Sequence, residues 1–371
     1  MQKAFISPGK YIQGTHEINN IANYTSHYGK NIFILISNSN LKSIKESLNH
    51  SFKNTDAVLS FELFNKECTQ QEIDRIILLA KGKKAEVIIG IGGGKTLDTA
   101  KAAASKLNVP VIIVPTIAST DAPCSSLSVI YDQQGVFEKI IYFNKNPEVV
   151  LVDTELIARA PVKFLITGMG DALSTYFEAR ACRASYANNI TGFKQTKTAF
   201  ALSKLCYKIL LEDSVNAIAS CEANVVTPAL ENIIEANILL SGLGFESGGL
   251  AAAHSIHNGF SILEECHHLM HGDKVAFGVL VQLVLENAPN SEISTVVNYC
   301  LDVGLPVCLN DLKCGNVSEN VLMKVAIKAS NKEESIHNMP FKITPQEVFA
   351  AILTADRIGK KTKEKLKIDK I

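Results

Sequence analysis

Neither sign of charge is in surplus along the 371 residues. Lys and Arg total 37, Asp and Glu total 37, and the formal net charge is zero. A binder of nucleic acid or another polyanion normally carries a basic excess, so that class is disfavoured. Zero net charge also removes the global self-repulsion that keeps subunits apart, which permits a homo-oligomer. No C-x-x-C spacing occurs among the nine cysteines, which are odd in number and scattered from 68 to 314. A disulfide framework or cysteine zinc knuckle is therefore not expected, and reduced thiols in a cytoplasmic protein are. No stretch of 18 or more uncharged apolar residues is present, so no membrane span is expected. The opening MQKAFISPGKYIQG lacks the apolar core of a secretory signal. Internal repeats and low-complexity tracts are absent as well. The lysine-rich stretch 360–370 reads as a solvated helix end rather than a membrane-binding patch.

With 47% apolar and 20% charged residues the chain has an ordinary globular balance, and its length suits two domains. The first part alternates strand and helix patterns. Ile32–Ile36, Ala57–Phe64, Glu86–Ile89, Val111–Val114 and Glu148–Asp153 read as strands, with amphipathic stretches such as Glu72–Lys81 between them. Continuous apolar strands separated by helices imply a mainly parallel sheet covered on both faces. Ser128–Tyr131 and Lys139–Phe143, joined by DQQGVFE, read as an added hairpin. Beyond about residue 160 helical periodicity takes over, so the expected division is an α/β domain over 1–160 and an all-α domain over 161–371. Asp153–Lys163 is the expected connection.

Two loops invite a phosphate. The segment EVIIGIGGGKTLDTAKAAAS at 86–105 is read as a strand ending at Gly90, three glycines, and a helix starting near Lys95. Glycine leaves backbone N–H groups at a helix start open to an anion, and Lys95 adds a cation. The pattern matches neither G-x-G-x-x-G, because position 95 is lysine, nor the Walker sequence, because position 89 is isoleucine. The second loop, PTIASTDAPCSS at 115–126, follows a strand, is rich in hydroxyls and carries Asp121. Ligands of parallel sheets bind beyond the carboxyl ends of the strands, so both loops can face one crevice.

Five of the nine histidines fall between 254 and 271. Metal binding and satisfied core packing both account for the cluster, with metal favoured. Imidazoles with one carboxylate suit zinc or iron, and Asp171, a charge in the apolar helical stretch LITGMGDALSTYFEA, is the strongest candidate for the carboxylate.

These motifs together resemble the iron-containing alcohol dehydrogenase superfamily. The matching segments are SPGKYIQG at 7–14, GIGGGKTLDTAKA at 90–102, PTIASTDAPCSSLSVIY at 115–131, GFESGGLAAAHSIHNG at 244–259, HGDKVAFG at 271–278 and HNMP at 337–340. The resemblance implies the dehydroquinate synthase-like fold, with a nucleotide-binding α/β domain, an all-helical domain and a metal between them. It implies NAD-dependent, reversible oxidation of glycerol to dihydroxyacetone, with one Zn2+ per subunit and a cytoplasmic homo-oligomer, an octamer. By position, Asp171, His254 and His271 become the metal ligands. Gly94, Lys95, Thr116, Ser119, Ser125, Leu127 and Tyr131 match NAD-contacting positions. Asp121 matches the residue that hydrogen-bonds the polyol and Phe245 an aromatic near it, while His254 also borders the substrate. His257, His267 and His268 are left without a ligand role. Iron-dependent relatives place another histidine one helical turn after the aspartate; here that residue is Thr175, which points to zinc. Relatives also carry an aspartate on the adenosine ribose where this chain has Ser37. Lyases of the dehydroquinate synthase type and glycerol-1-phosphate dehydrogenases need a basic pocket, which Lys95 and Lys274 alone do not supply. A non-catalytic nucleotide-binding regulator would have no use for the complete metal trio.

Overall fold

The structure is a computed structural model that describes residues 2–368. It divides into two compact units that do not follow a single cut at 160. One comprises Ile6–Phe164 together with Ala219–Gly242, and the other comprises Leu165–Ile218 and the chain from Leu243 onward, with the segment ending at Phe5.

The first unit is built on a six-stranded sheet. Its strands are β1 (Lys10–Gly14), β2 (Asn31–Ile36), β3 (Val58–Leu63), β4 (Val87–Gly92), β5 (Val111–Pro115) and β8 (Val149–Asp153), in the order β1-β8-β5-β4-β2-β3. Every pairing is parallel. β4, β5 and β8 are buried along their whole length, which explains their unbroken apolar sequences. Helix Gln70–Gly82 starts at Thr69, whose side chain accepts a hydrogen bond from the Glu72 amide. A separate antiparallel hairpin, β6 (Leu127–Tyr131) and β7 (Phe137–Tyr142), lies where the pattern places it.

Three boundaries depart from the sequence reading. β4 continues to Gly92 rather than ending at Gly90. β1, the edge strand, was not read as a strand; it is only partly buried and its KYIQG sequence lacks a clean alternation. The stretch taken as a connection is ordered structure: Asp153 closes β8 and caps the Thr154–Ala158 helix through its Oδ1, at 3.1 Å from the Glu155 amide.

The inserted segment 219–242 is tied to the sheet edge. The Gln13 side-chain amide donates to the Glu231 carbonyl at 3.0 Å, and the Thr154 hydroxyl donates to the Glu231 carboxylate at 3.2 Å. Helical periodicity continues across both ends of this segment, which hid the division.

The second unit is helical among its described residues. Val162–Ser185 and Lys197–Glu222, which start or end across the division, are its longest early helices, followed by Ala252–Phe260, His271–Leu285, Asn290–Val303, Glu319–Ala329 and Pro345–Ile368. Val162–Ser185 is buried from Leu165 through most of its length, so nearly every face of it is core.

Candidate functional site

The glycine turn is shaped by close approach. A Cβ on Gly90 would lie 2.5 Å from the Ala100 Cβ, so glycine there lets helix Gly94–Leu107 pack tightly on β4. That helix begins without any side-chain cap. Its first backbone amides therefore keep the anion-binding character of an uncapped N-terminus. The Thr116 amide donates to the Gly92 carbonyl at 3.0 Å, which brings the hydroxyl-rich loop alongside the glycine turn. The connections leave β2 and β4 in opposite directions across the sheet, so the strand order reverses between them. Ser37 follows β2 at this switch point, and its Oγ is 3.1 Å from where a Gly92 Cβ would sit.

The residues matched to NAD contacts differ in how available they are. Lys95 is paired with Glu67 at 2.5 Å and lies over the Tyr131 ring, 4.8 Å from its centroid. Its cation is thus shared with a carboxylate rather than standing alone, a pairing the sequence did not indicate. Burial, with nearby carboxylates, pushes the Tyr131 phenol up. Thr116 and Ser119 are buried in the loop, and Leu127 opens β6. Ser125 is turned inward: its hydroxyl donates to the Ala122 carbonyl at 2.9 Å and accepts from buried Lys101 at 3.3 Å. Lys101 also donates to the Ala122 carbonyl at 3.0 Å and pairs with Asp98 at 2.9 Å, whose other oxygen accepts from the Val129 amide. This buried pair clamps the loop and was not singled out from the sequence, where it sits inside an ordinary amphipathic helix.

One turn of π-helix, Ala236–Leu240, precedes helix Ser241–Gly248. It presents Asn237, which donates to the Ala118 carbonyl at 3.0 Å, and leads to Ser241, whose hydroxyl donates to Asp121 Oδ2 at 2.9 Å. Asp121 is thereby fixed in orientation. Wider turns of this kind recur at functional sites. Phe245 is buried on the helix that Ser241 begins.

The histidine cluster gathers within the helical unit. Asp171 comes from Val162–Ser185, His254 from Ala252–Phe260, and His271 is the first residue of His271–Leu285. One ligand atom from each lies within 4.8 Å of the others. Asp171 Oδ1 is 3.1 Å from His271 Nε2 and 3.6 Å from His254 Nε2. Ligands about 2.0–2.1 Å from a tetrahedral ion stand roughly 3.3 Å apart, so these spacings fit one.

The hydrogen-bond network orients the imidazoles. His254 Nδ1 donates to Glu178 Oε2 at 2.6 Å, which turns Nε2 toward Asp171. Glu178 is fully buried. Its other oxygen accepts from the Ala251 and His254 amides at 2.8 and 3.0 Å, at the start of the helix that carries His254. Those amides and the helix terminus offset the cost of burying the carboxylate. His257 Nδ1 donates to Asn258 Oδ1 at 3.0 Å, so its Nε2 accepts from His271 Nδ1 at 3.1 Å. His271 Nε2 likewise faces Asp171. Asn258 is held by Glu334 at 2.8 Å. Glu178 was missed in the sequence, although it stands seven residues after Asp171, on the same face of one helix. His267 and His268 are exposed in the loop before His271 and do not join the trio.

The electrostatics agree with this arrangement. Burial alone raises the Asp171 carboxyl, but the two imidazoles overcome it and hold the group well below its ordinary range. Burial lowers His254, and Glu178 and Asp171 reverse this to leave it well above the usual histidine range. His257 is pushed well down by burial and by the neighbouring cations, which suits a neutral acceptor. The site is a strongly cation-seeking cluster with two nitrogen donors and one carboxylate.

Known proteins agree in sequence and in structure. The iron-containing alcohol dehydrogenase family profile matches residues 8–154. A glycerol dehydrogenase of Thermotoga maritima is 51% identical, over 96% of this chain and 98% of its own length. One from Citrobacter freundii is 49% identical over 97% and 98%. The crystal structure of glycerol dehydrogenase from Schizosaccharomyces pombe superposes with a TM-score of 0.93 at 38% identity, over 98% of this chain and 93% of that one. Identity of this extent, over almost the full length, means that the chain belongs to the iron-containing alcohol dehydrogenase family.

Proposed function

We propose that this chain is an NAD-dependent, zinc-dependent glycerol dehydrogenase that reversibly oxidises the secondary carbon of glycerol to dihydroxyacetone. The observation that carries the reading is the Asp171, His254 and His271 trio, with both imidazole Nε2 atoms turned toward the carboxylate. Near-full-length relatives named glycerol dehydrogenase support the substrate. Thr175, fully buried one turn after Asp171, stands where a fourth protein ligand would be needed for iron. Three protein ligands with an open position favour zinc.

A metal ion at this site supplies Lewis-acid chemistry, lowering the pKa of a substrate hydroxyl so that it loses its proton near neutral pH. The protein's residues do the rest. Glu178 and the His257–Asn258–Glu334 chain hold the two imidazoles in the tautomer and orientation that a ligand requires. Asp121, already aligned by Ser241, accepts a hydrogen bond from a terminal hydroxyl of the polyol, and Phe245 and His254 border it. Gly94 and Lys95 would hold the pyrophosphate of the dinucleotide and Thr116, Ser119, Leu127 and Tyr131 would line the rest, with Ser125 bracing the loop from within through Ala122 and Lys101. Bound NAD would supply the hydride acceptor at its nicotinamide ring, and the part of these residues would be to hold the reacting carbons in line away from water. Cytoplasmic assembly as a homo-oligomer, an octamer, belongs to the same reading, and the absence of net charge permits such assembly.

Replacement His271→Ala tests the assignment. It removes one of three ligands, so glycerol-dependent NADH formation should fall by several orders of magnitude while far-ultraviolet circular dichroism is retained. A variant with wild-type activity and metal content would exclude His271 as a ligand.

A further inference from the structure

All nine cysteines are buried and reduced. Two of them, 48 residues apart in sequence, meet sulfur to sulfur: Cys266 Sγ and Cys314 Sγ are 2.9 Å apart, and neither is exposed. Cys266 ends the short turn Glu264–Cys266, and Cys314 ends the turn that follows Cys308. Both sulfurs also approach the Leu312 carbonyl, at 3.7 and 3.3 Å. A disulfide needs about 2.05 Å between sulfurs, so roughly 0.9 Å of movement separates this pair from a bond. By contrast, the Cys182 thiol is aimed at the backbone carbonyl of Leu250.

The surroundings suit oxidation. Glu265 and His267 flank Cys266 in sequence and are exposed, as are Lys313 and Gly315 around Cys314. Each sulfur therefore lies one layer beneath a surface turn, within reach of a small oxidant when the turn opens. The hydrogen bond from Cys314 lowers the Cys266 thiol more than burial raises it, with buried Lys274 assisting. The same hydrogen bond is what chiefly raises Cys314. Cys266 is thus the attacking sulfur and Cys314 the resolving one.

We propose that Cys266 and Cys314 form a dithiol modification site that hydrogen peroxide converts to a reversible disulfide. The Cys266 thiolate attacks one peroxide oxygen. The S–O bond forms, the O–O bond breaks, and hydroxide leaves. Conversion of Cys266 to the neutral sulfenic acid removes the interaction that held the Cys314 proton, and the hydroxide takes that proton. Cys314 then attacks the Cys266 sulfur, the S–O bond breaks, and water leaves once the departing hydroxide is protonated. The two sulfurs lose two electrons and peroxide is reduced to two waters.

The bond would have a structural consequence. Residues 261–270 link helix Ala252–Phe260, which carries His254, to helix His271–Leu285. A bridge at Cys266 fastens that link to the 308–314 turn and restrains His271. The site stands on the sulfur geometry and holds whatever the substrate of the enzyme is.

The test uses the zinc-loaded protein and a small molar excess of hydrogen peroxide. The denatured thiol titre should fall by two from nine, the intact mass should drop by about 2 Da, and peptide mapping should find Cys266 joined to Cys314. Dithiothreitol should restore the titre. In Cys314→Ser the mass drop should vanish and dimedone should label Cys266 instead. A chelator should withdraw zinc several-fold more slowly from the bridged protein. A titre that stays at nine, a loss that maps to other cysteines, or direct passage of Cys266 to sulfinic acid with Cys314 unchanged would overturn the site. Bridging with unchanged zinc release would overturn the restraint of His271.

Discussion

Ser37 stands at the switch point of the sheet, where the proposed NAD reading puts the adenosine ribose. It follows β2 beside the glycine turn, its amide donates to the Ile91 carbonyl at 3.0 Å, and its hydroxyl has Ser39 as neighbour at 3.5 Å. An aspartate here would accept from the ribose hydroxyls and repel the 2′-phosphate of NADP; serine does only part of the first. Ser37→Asp should raise the ratio of kcat/KM for NAD over NADP by about tenfold or more, equivalent to roughly 1–3 kcal/mol. An unchanged ratio would mean that Ser37 does not face the ribose. Glu178 makes the corresponding case at the metal trio. Glu178→Gln keeps the shape and removes the charge on His254, so metal affinity measured by chelator competition should weaken about 10- to 100-fold. Equal affinity would show that the carboxylate only caps the helix. Cys124 is buried at the end of the 122–124 turn, and on the proposed reading Cys124→Ala should keep most of the activity. Loss of several orders of magnitude would reveal a covalent step. The choice of His254 and His271 beside Asp171 came from the family resemblance, whereas the histidine cluster was legible because histidines are scarce and five of them fall together. The groups that orient it were not, because Glu178, Asn258 and Glu334 are common residue types whose roles exist only once three segments meet.

At the scale of elements, the ligand geometry depends on how closely two helices approach. A Cβ on Gly272 would lie 1.8 Å from the Thr167 carbonyl oxygen, and one on Gly170 would lie 2.4 Å from the Gly272 carbonyl oxygen. These glycines flank His271 and Asp171 in sequence, so backbone contact between the helices sets the 3.1 Å ligand spacing. Arg180 fastens the same pair further along, through Glu286 at 2.5 Å and Glu292 at 2.6 Å. Gly272→Ala must push the helices apart. It should cost about 1–3 kcal/mol by overpacking and lower bound metal, read as a reduced Tm and substoichiometric zinc. Full metal content with an unchanged Tm would contradict this packing. The strands of the sheet were readable because burial on both faces demands continuous apolar runs. β1 was not, because an edge strand half in solvent tolerates Tyr, Gln and Lys. The π-turn that anchors the 115–126 loop has no sequence signature distinct from the helices around it.

For the whole molecule, chain order and spatial grouping differ. Segment 219–242 returns to the sheet unit after a long helical excursion, and hydrogen bonds from Gln13 and Thr154 rather than any composition shift determine this. The hydroxyl-rich loop therefore takes its anchors, Asn237 and Ser241, from sequence more than a hundred residues away. Together the units provide a dinucleotide turn and a three-ligand metal cluster, which is the equipment of an alcohol dehydrogenase that depends on both. The most direct test is NADH formation with glycerol as sole alcohol, followed before chelation, after complete metal removal, and after adding back Zn2+. Activity should be present, then lost with the fold intact, then restored in proportion to zinc bound up to one per chain. Glycerol-dependent NADH formation that survives complete metal removal would contradict the central assignment.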